Sequence, residues 1–129
     1  MTLFIVRPYI ADDSSRIVAN DETNSFVEQL MHVRGQRRPI TLVADYQGLI
    51  VGCAAGFVFE SSNSPGAMLD VFGVARNARG LGVGRALYEE FFFQAKRRGA
   101  LYVLRNVPEA YSSSPNLRCL KRSVEGCRM

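Results

Sequence analysis

The sequence predicts an α/β (α+β) domain, and three observations carry that prediction. The spacing of apolar residues switches along the chain between a strand-like and a helix-like period. Two β-rich runs meet at a glycine-containing turn, and a third run follows them, which reads as consecutive strands led by a hairpin. A long amphipathic pattern then separates the third run from a further short strand. With 129 residues, 47% of them hydrophobic, the chain can bury one ordinary core. No repeat or linker divides it, so residues 1–129 are read as a single domain.

The elements follow in order. Leu3 to Val6 is the first strand, and Pro8 limits its extension. "ADDSS" is rich in capping side chains, so a helix starts near Asp12 or Asp13. A second helix starts within "NDETNSFVEQLMHVRG". There Phe26, Leu30 and Val33 fall at helical spacing, Gly35 supplies a stop, and His32 sits beside the apolar face. "ITLVADYQGLIVGCAAGFVFE" is a hairpin around Tyr46-Gln47-Gly48, and "SSNSPG" is a loop. Ala67 to Val74 is the third consecutive strand. In "VGRALYEEFFFQAKRRG", Leu87, Phe91 and Ala95 form a helical stripe widened by Tyr88 and Phe92. Lys96 to Arg98 sit at the end that favours cations, before Gly99. "ALYVLR" is a strand, "NVPEAYSSSP" a loop and "NLRCLKRSVEG" a short final helix.

Composition narrows the function mainly by exclusion. Cys53, Cys119 and Cys127 are odd in number and widely spaced, so they form no disulfide framework, and Cys53 reads as a small core residue. With one histidine and no Cys-x-x-Cys pair, no metal site is expected. "MTLFIV" lacks the basic start and cleavage pattern of a signal peptide, and the longest apolar run is too short to span a bilayer. The expectation is a cytoplasmic protein without a membrane partner. The net charge of +4 is modest and fits an anionic ligand, a nucleic-acid contact or neither. No stacking-aromatic motif or recognition helix supports a nucleic-acid partner.

The chemistry concentrates in "RNARGLGVGRAL". Gly80, Gly82 and Gly84 stand where a helix begins, although serine or aspartate caps a helix better. Glycines leave the backbone N–H groups of that turn bare and free to converge on one anion. Arg79 and Arg85 add charge at the rim, and no acid lies between Asp70 and Glu89. A helix start of this kind suits a phosphate. Glycines chosen only for close strand–helix packing are the alternative. The Walker pattern fails, because Gly84-Arg85-Ala86 replaces Gly-Lys-Ser/Thr. The dinucleotide pattern fails too, because its last glycine falls on Leu87 or Arg85.

Arg79-x-x-Gly82-x-Gly84 resembles the Arg/Gln-x-x-Gly-x-Gly/Ala signature of the GNAT (Gcn5-related N-acetyltransferase) family. "LDVFGVARNARGLGVGRALYEEFFFQAKRRGA" is similar to that family's fourth strand, pyrophosphate loop and third helix. "LVADYQGLIVGCAAG" is similar to its hairpin of strands two and three. The resemblance runs from about Leu3 to Cys127. It implies a central mixed, mostly antiparallel sheet flanked by helices. It also implies transfer of an acetyl group from acetyl-CoA to a primary amine of a small molecule or peptide. The amides of Arg79, Gly80, Leu81, Gly82, Val83, Gly84 and Arg85 would bind the pyrophosphate. Phe72, Gly73 and Val74 would offer backbone groups to the pantetheine arm, with Val74 N–H a candidate donor to the thioester oxygen. Strands four and five splay apart in the family, and Gly73 is compatible with a bulge there.

For the acid–base work, Asp70 is the only acid on its strand, and strict alternation puts it on the face of Phe72 and Val74. The resemblance offers it as the base. The alternative is a contact to the substrate ammonium or a pairing with an arginine. The family's thiolate acid is a tyrosine in its fourth helix, but "SPNLRCLKRSVEGC" carries Arg122 or Ser123 in that region. Tyr111, upstream, is the candidate that remains. Relatives continue into further strands after the position of Gly126-Cys127, so the C-terminal part reads as shortened. That opens two alternatives: completion of the sheet edge by a second copy in a homodimer, or a catalytically weak or inactive coenzyme A-binding regulatory module.

Overall fold

The computed structural model describes residues 4–17, 26–60 and 64–105. One sheet contains β1 (Ile5–Pro8), β2 (Pro39–Tyr46), β3 (Leu49–Phe59), β4 (Gly66–Val74) and β5 (Val103–Arg105), in that spatial order. The first four strands pair antiparallel, and β5 runs parallel to β4. Helix α1 (Phe26–Arg34) packs on one face and α2 (Val83–Arg97) on the other. This is the mixed, mostly antiparallel sheet flanked by helices that the sequence predicts.

The central strand explains the two-sided core. Residues 50–56 of β3 are all buried, which is why its sequence shows an unbroken apolar run instead of alternation. Val43, Ile50, Cys53 and Ala55 meet Leu30 and Val33 of α1. Leu42, Val51, Ala54 and Leu69 meet the stripe of Leu87, Tyr88, Phe91 and Ala95 on α2. Each fully buried leucine, isoleucine or phenylalanine of this kind stabilises the fold by about 1.5–3 kcal/mol relative to exposure. Cys53 is wholly buried, and burial pushes its thiol pKa up, so it serves as core.

The hairpin turn has positive φ at both Gln47 (51°) and Gly48 (93°), as a type I′ turn requires. The Asp45 carboxylate accepts the Gly48 N–H at 2.8 Å and so fixes the register of that turn. Helix α2 stops where expected. Gly99 takes a φ of 96°, and the Ala100 N–H closes onto the Ala95 carbonyl at 3.0 Å.

Two elements differ from expectation. The first strand ends at Pro8, as expected, but reaches two residues past Val6. β1 is an edge strand, so the missing proline N–H costs nothing on its open side, and pairing continues to Pro8↔Leu42. Near Asp12 and Asp13 the chain forms a six-residue 3-10 helix, Ala11–Arg16, in place of an α-helix. There the buried Asp13 carboxylate accepts the Ile10 N–H at 2.8 Å and binds Arg7, which holds the turn tight. The expected final helix and the loop before it lie outside the described residues.

Candidate functional site

The site lies beyond the last pairing of β4 with β5 among the described residues. Those strands pair there at Ala67↔Val103, Met68↔Leu104 and Leu69↔Arg105. Asp70 to Val74 therefore have β3 on one side and, among the described residues, no strand on the other. The Ala75 N–H donates to the Val51 carbonyl at 2.7 Å, which fixes the backbone phase. Backbone groups alternate in direction along a strand, so those of Gly73 face β3 and those of Phe72 and Val74 face the open edge. From Asp70 to Val74 that edge is about 13 Å long, at about 3.3 Å per residue.

The bulge in β4 lies at Asp70, not at Gly73. Gly73 pairs in register with Cys53, whereas Gly56↔Leu69 and Ala55↔Val71 leave Asp70 as the extra residue. The cause is on β3. A Cβ at Gly56 would overlap the Met68 carbonyl, so glycine there lets the two backbones approach. The bulge resets the alternation of side chains. Ala67 and Leu69 before it, and Phe72 and Val74 after it, all face α2, while Val71 faces α1. Strict alternation therefore does not carry the face of Phe72 and Val74 back to Asp70. The half-buried Asp70 sits in the bulge itself.

At the other end of the open edge the chain turns through Arg76–Ala78 and enters α2. Gly80 and Gly82 have φ of 85° and 84°, a region that side-chain-bearing residues avoid. A Cβ at either would meet nothing within 4 Å, so the space above both is open. Gly84 has a different role. A Cβ there would lie 3.3 Å from the Phe72 ring, so this glycine seats α2 closely on β4. The close-packing role thus belongs to Gly84, and the left-handed, uncrowded backbone to Gly80 and Gly82.

Gly82 is the N-cap of α2, and no side chain caps the helix. The first ladder bond runs from the Ala86 N–H to the Gly82 carbonyl at 3.1 Å, which leaves the amides of Val83, Gly84 and Arg85 ahead of the ladder. The first turn contains no acid. Buried Ala78 and Val83 anchor the loop from below, while Arg79, Leu81 and Arg85 are exposed. Arg85 is held loosely by Glu89 at 3.0 Å, an exposed pair worth little by itself. Uncapped amides and an acid-free first turn leave a partial positive charge at the start of α2.

Arg105 is a residue that the sequence reading passed over. Its Nη1 is buried and has no hydrogen-bond partner among the described residues. The available signal was an arginine closing an otherwise apolar strand, "ALYVLR". Tyr111 lies outside the described residues. Among the described residues, no group of three His, Cys, Asp or Glu side chains is placed to hold a metal ion. A cavity of about 380 Å³ lined by Phe4, Val6, Ala86, Glu89 and Glu90 shares no residue with β4 or the turn.

Residues 8–116 match the model of the acetyltransferase (GNAT) family. Among curated proteins, no sequence match is found. The fold is similar to that of a transcriptional regulator from Bacillus halodurans, at a TM-score of 0.71 and 17% identity over 92% of this chain and 90% of that one. It is similar to glucosamine-6-phosphate N-acetyltransferase from Arabidopsis thaliana, at 0.67 and 13% over 85% and 86%. It is also similar to an aminoglycoside acetyltransferase from an uncultured soil metagenomic sample, in complex with sisomicin, at 0.65 and 17% over 92% and 88%. At these identities the likeness is one of fold.

Proposed function

The chain belongs to the acetyltransferase (GNAT) family, and on that footing we propose that it is an acetyl-CoA-dependent N-acetyltransferase of the cytoplasm. Its acceptor is a primary amine on a small molecule or peptide. One observation carries the reading. The uncapped, acid-free start of α2, with open space above Gly80 and Gly82, adjoins a strand edge that no neighbour covers among the described residues.

Acetyl-CoA supplies an acyl carbon activated as a thioester; the chain supplies position and charge. The amides from Arg79 to Arg85 receive the pyrophosphate, with the two guanidinium groups at the rim. The outward backbone groups of Phe72 and Val74 receive the pantetheine arm. Phe72 lies two residues nearer the bulge than Val74, so its N–H is the better placed of the two for the thioester oxygen. Asp70, in the bulge, accepts the proton that the amine must lose, directly or through water.

Thermal stabilisation across acetyl-CoA, coenzyme A, ATP and NAD tests the reading. Acetyl-CoA at about 100 times its dissociation constant adds about 2.7 kcal/mol, and ATP and NAD at the same concentration add far less. No shift with acetyl-CoA or coenzyme A would sink the proposal. Thiol release with a panel of amines then identifies the acceptor.

A further inference from the structure

Arg105 stands at the last pairing of β4 with β5 among the described residues. It is the last residue of β5 and pairs with Leu69, one position before the bulge at Asp70. Val103 belongs to the core on the α2 side, so alternation turns Arg105 to that side as well. Its buried Nη1 meets no acceptor among the described residues. A guanidinium stays charged at any working pH, and burying one of its N–H groups without an acceptor is unfavourable. A ligand atom bearing negative charge at that point removes the cost.

Resting on the acetyltransferase reading above, we propose that Arg105 receives the leaving group of acyl transfer, its Nη1 donating to the coenzyme A sulfur in the thiolate form. As the amine nitrogen bonds to the acyl carbon, the C–S bond breaks and its electron pair stays on sulfur. The surplus proton of the amine departs separately, to Asp70 or water, and Arg105 keeps all its protons. The sulfur is thus held by charge and needs no proton donor in place. This answers the absence of a tyrosine at the position where the family carries one. The two ends of the open edge then serve opposite ends of one ligand: the turn from Arg79 to Arg85 takes the pyrophosphate, and Arg105 takes the sulfur.

The test compares coenzyme A with desulfo-coenzyme A, which lacks the sulfur, on the full chain. Calorimetry gives both affinities from about pH 6.5 to about pH 9.5, the span in which a thiol of ordinary acidity ionises. Taking the ratio cancels whatever the protein's own groups contribute to both affinities, among them Asp70 on β4, Tyr88 on α2 and Tyr102 just before β5. The ratio is expected to rise about tenfold in favour of coenzyme A, the equivalent of about one unit of thiol acidification, and to lose that rise in Arg105→Gln. A flat wild-type ratio with both compounds bound overturns this assignment and leaves the transferase reading standing. A rise that survives in Arg105→Gln also overturns it. Binding of neither compound overturns both. The wild-type comparison needs no substitution, so it decides even where the variant fails to fold.

Discussion

The guanidinium of Arg7 grips the carboxylate of Asp13 through two bonds of 2.7 and 2.9 Å, and Asp13 is wholly buried. The same guanidinium lies 3.0 Å from Asp45 Oδ2, so one side chain ties β1 to the 3-10 turn and to the end of β2. Arg7 holds the Asp13 carboxyl below its ordinary value, against the opposing effect of burial. A carboxylate whose pKa is depressed on folding stabilises the protein fully above its unfolded pKa, about 3.9. That contribution is lost as pH falls through the depressed folded value. Asp13→Asn should cost about 3 kcal/mol at neutral pH, because it removes one partner of a buried pair. It should also flatten the acid loss of stability. Urea unfolding at neutral pH and through the acid range checks both; an unchanged acid slope would remove Asp13 as its source.

Gly56→Ala tests the bulge. The added Cβ must displace the Met68 carbonyl, which is backbone and cannot rotate away. Overpacking of this kind costs about 1–3 kcal/mol. The urea midpoint should fall by the corresponding amount. An unchanged midpoint would show that β4 shifts freely past β3, and that the bulge does not depend on this glycine.

Much of this fold could be read from the sequence because local signals and tertiary context agree. Leu87, Phe91 and Ala95 lie on one stripe, and that stripe is the buried face of α2. Gln47-Gly48 sits at the turn that its chemistry requires. A lone strand glycine makes Gly73 compatible with a bulge, but the bulge lies at Asp70, beside the close approach of Gly56 on the neighbouring strand. That is a contact between residues far apart in sequence, and periodicity does not contain it. The surroundings of Asp13 and Arg105 are hidden from the sequence for the same reason. Asp13 looked like a capping residue, and only the fold brings Arg7 to it. Arg105 looked like a strand end, and only the sheet order puts it beside the open edge of β4.

Gly82 separates conformation from binding. Its φ of 84° is strained for any other residue, so Gly82→Ala should lose about 1–2 kcal/mol of stability although its Cβ meets no atom. Gly82→Glu carries the same strain and adds bulk and negative charge over the bare amides of α2. Acetyl-CoA should therefore shift the melting temperature of Gly82→Ala measurably and that of Gly82→Glu not at all. Equal shifts in the two variants would place the pyrophosphate elsewhere.

Asp70→Asn distinguishes a base from an anchor. Asparagine keeps the shape of the side chain at the bulge but cannot take up a proton under working conditions. If Asp70 accepts the amine's proton, kcat should fall by about 10²-fold or more while the acetyl-CoA dissociation constant is unchanged. The lost rate should recover in part as pH rises, because a growing share of the amine then arrives already neutral. If Asp70 instead anchors the substrate ammonium, the loss appears mainly as a higher KM for the amine, and saturating amine restores kcat. Raising the pH then brings the wild-type KM up toward that of the variant without changing the variant's kcat, since it removes the very charge that a carboxylate would hold. Steady-state kinetics of wild type and Asp70→Asn over both amine concentration and pH therefore assign the residue to one role. Unchanged kcat and KM would exclude it from both.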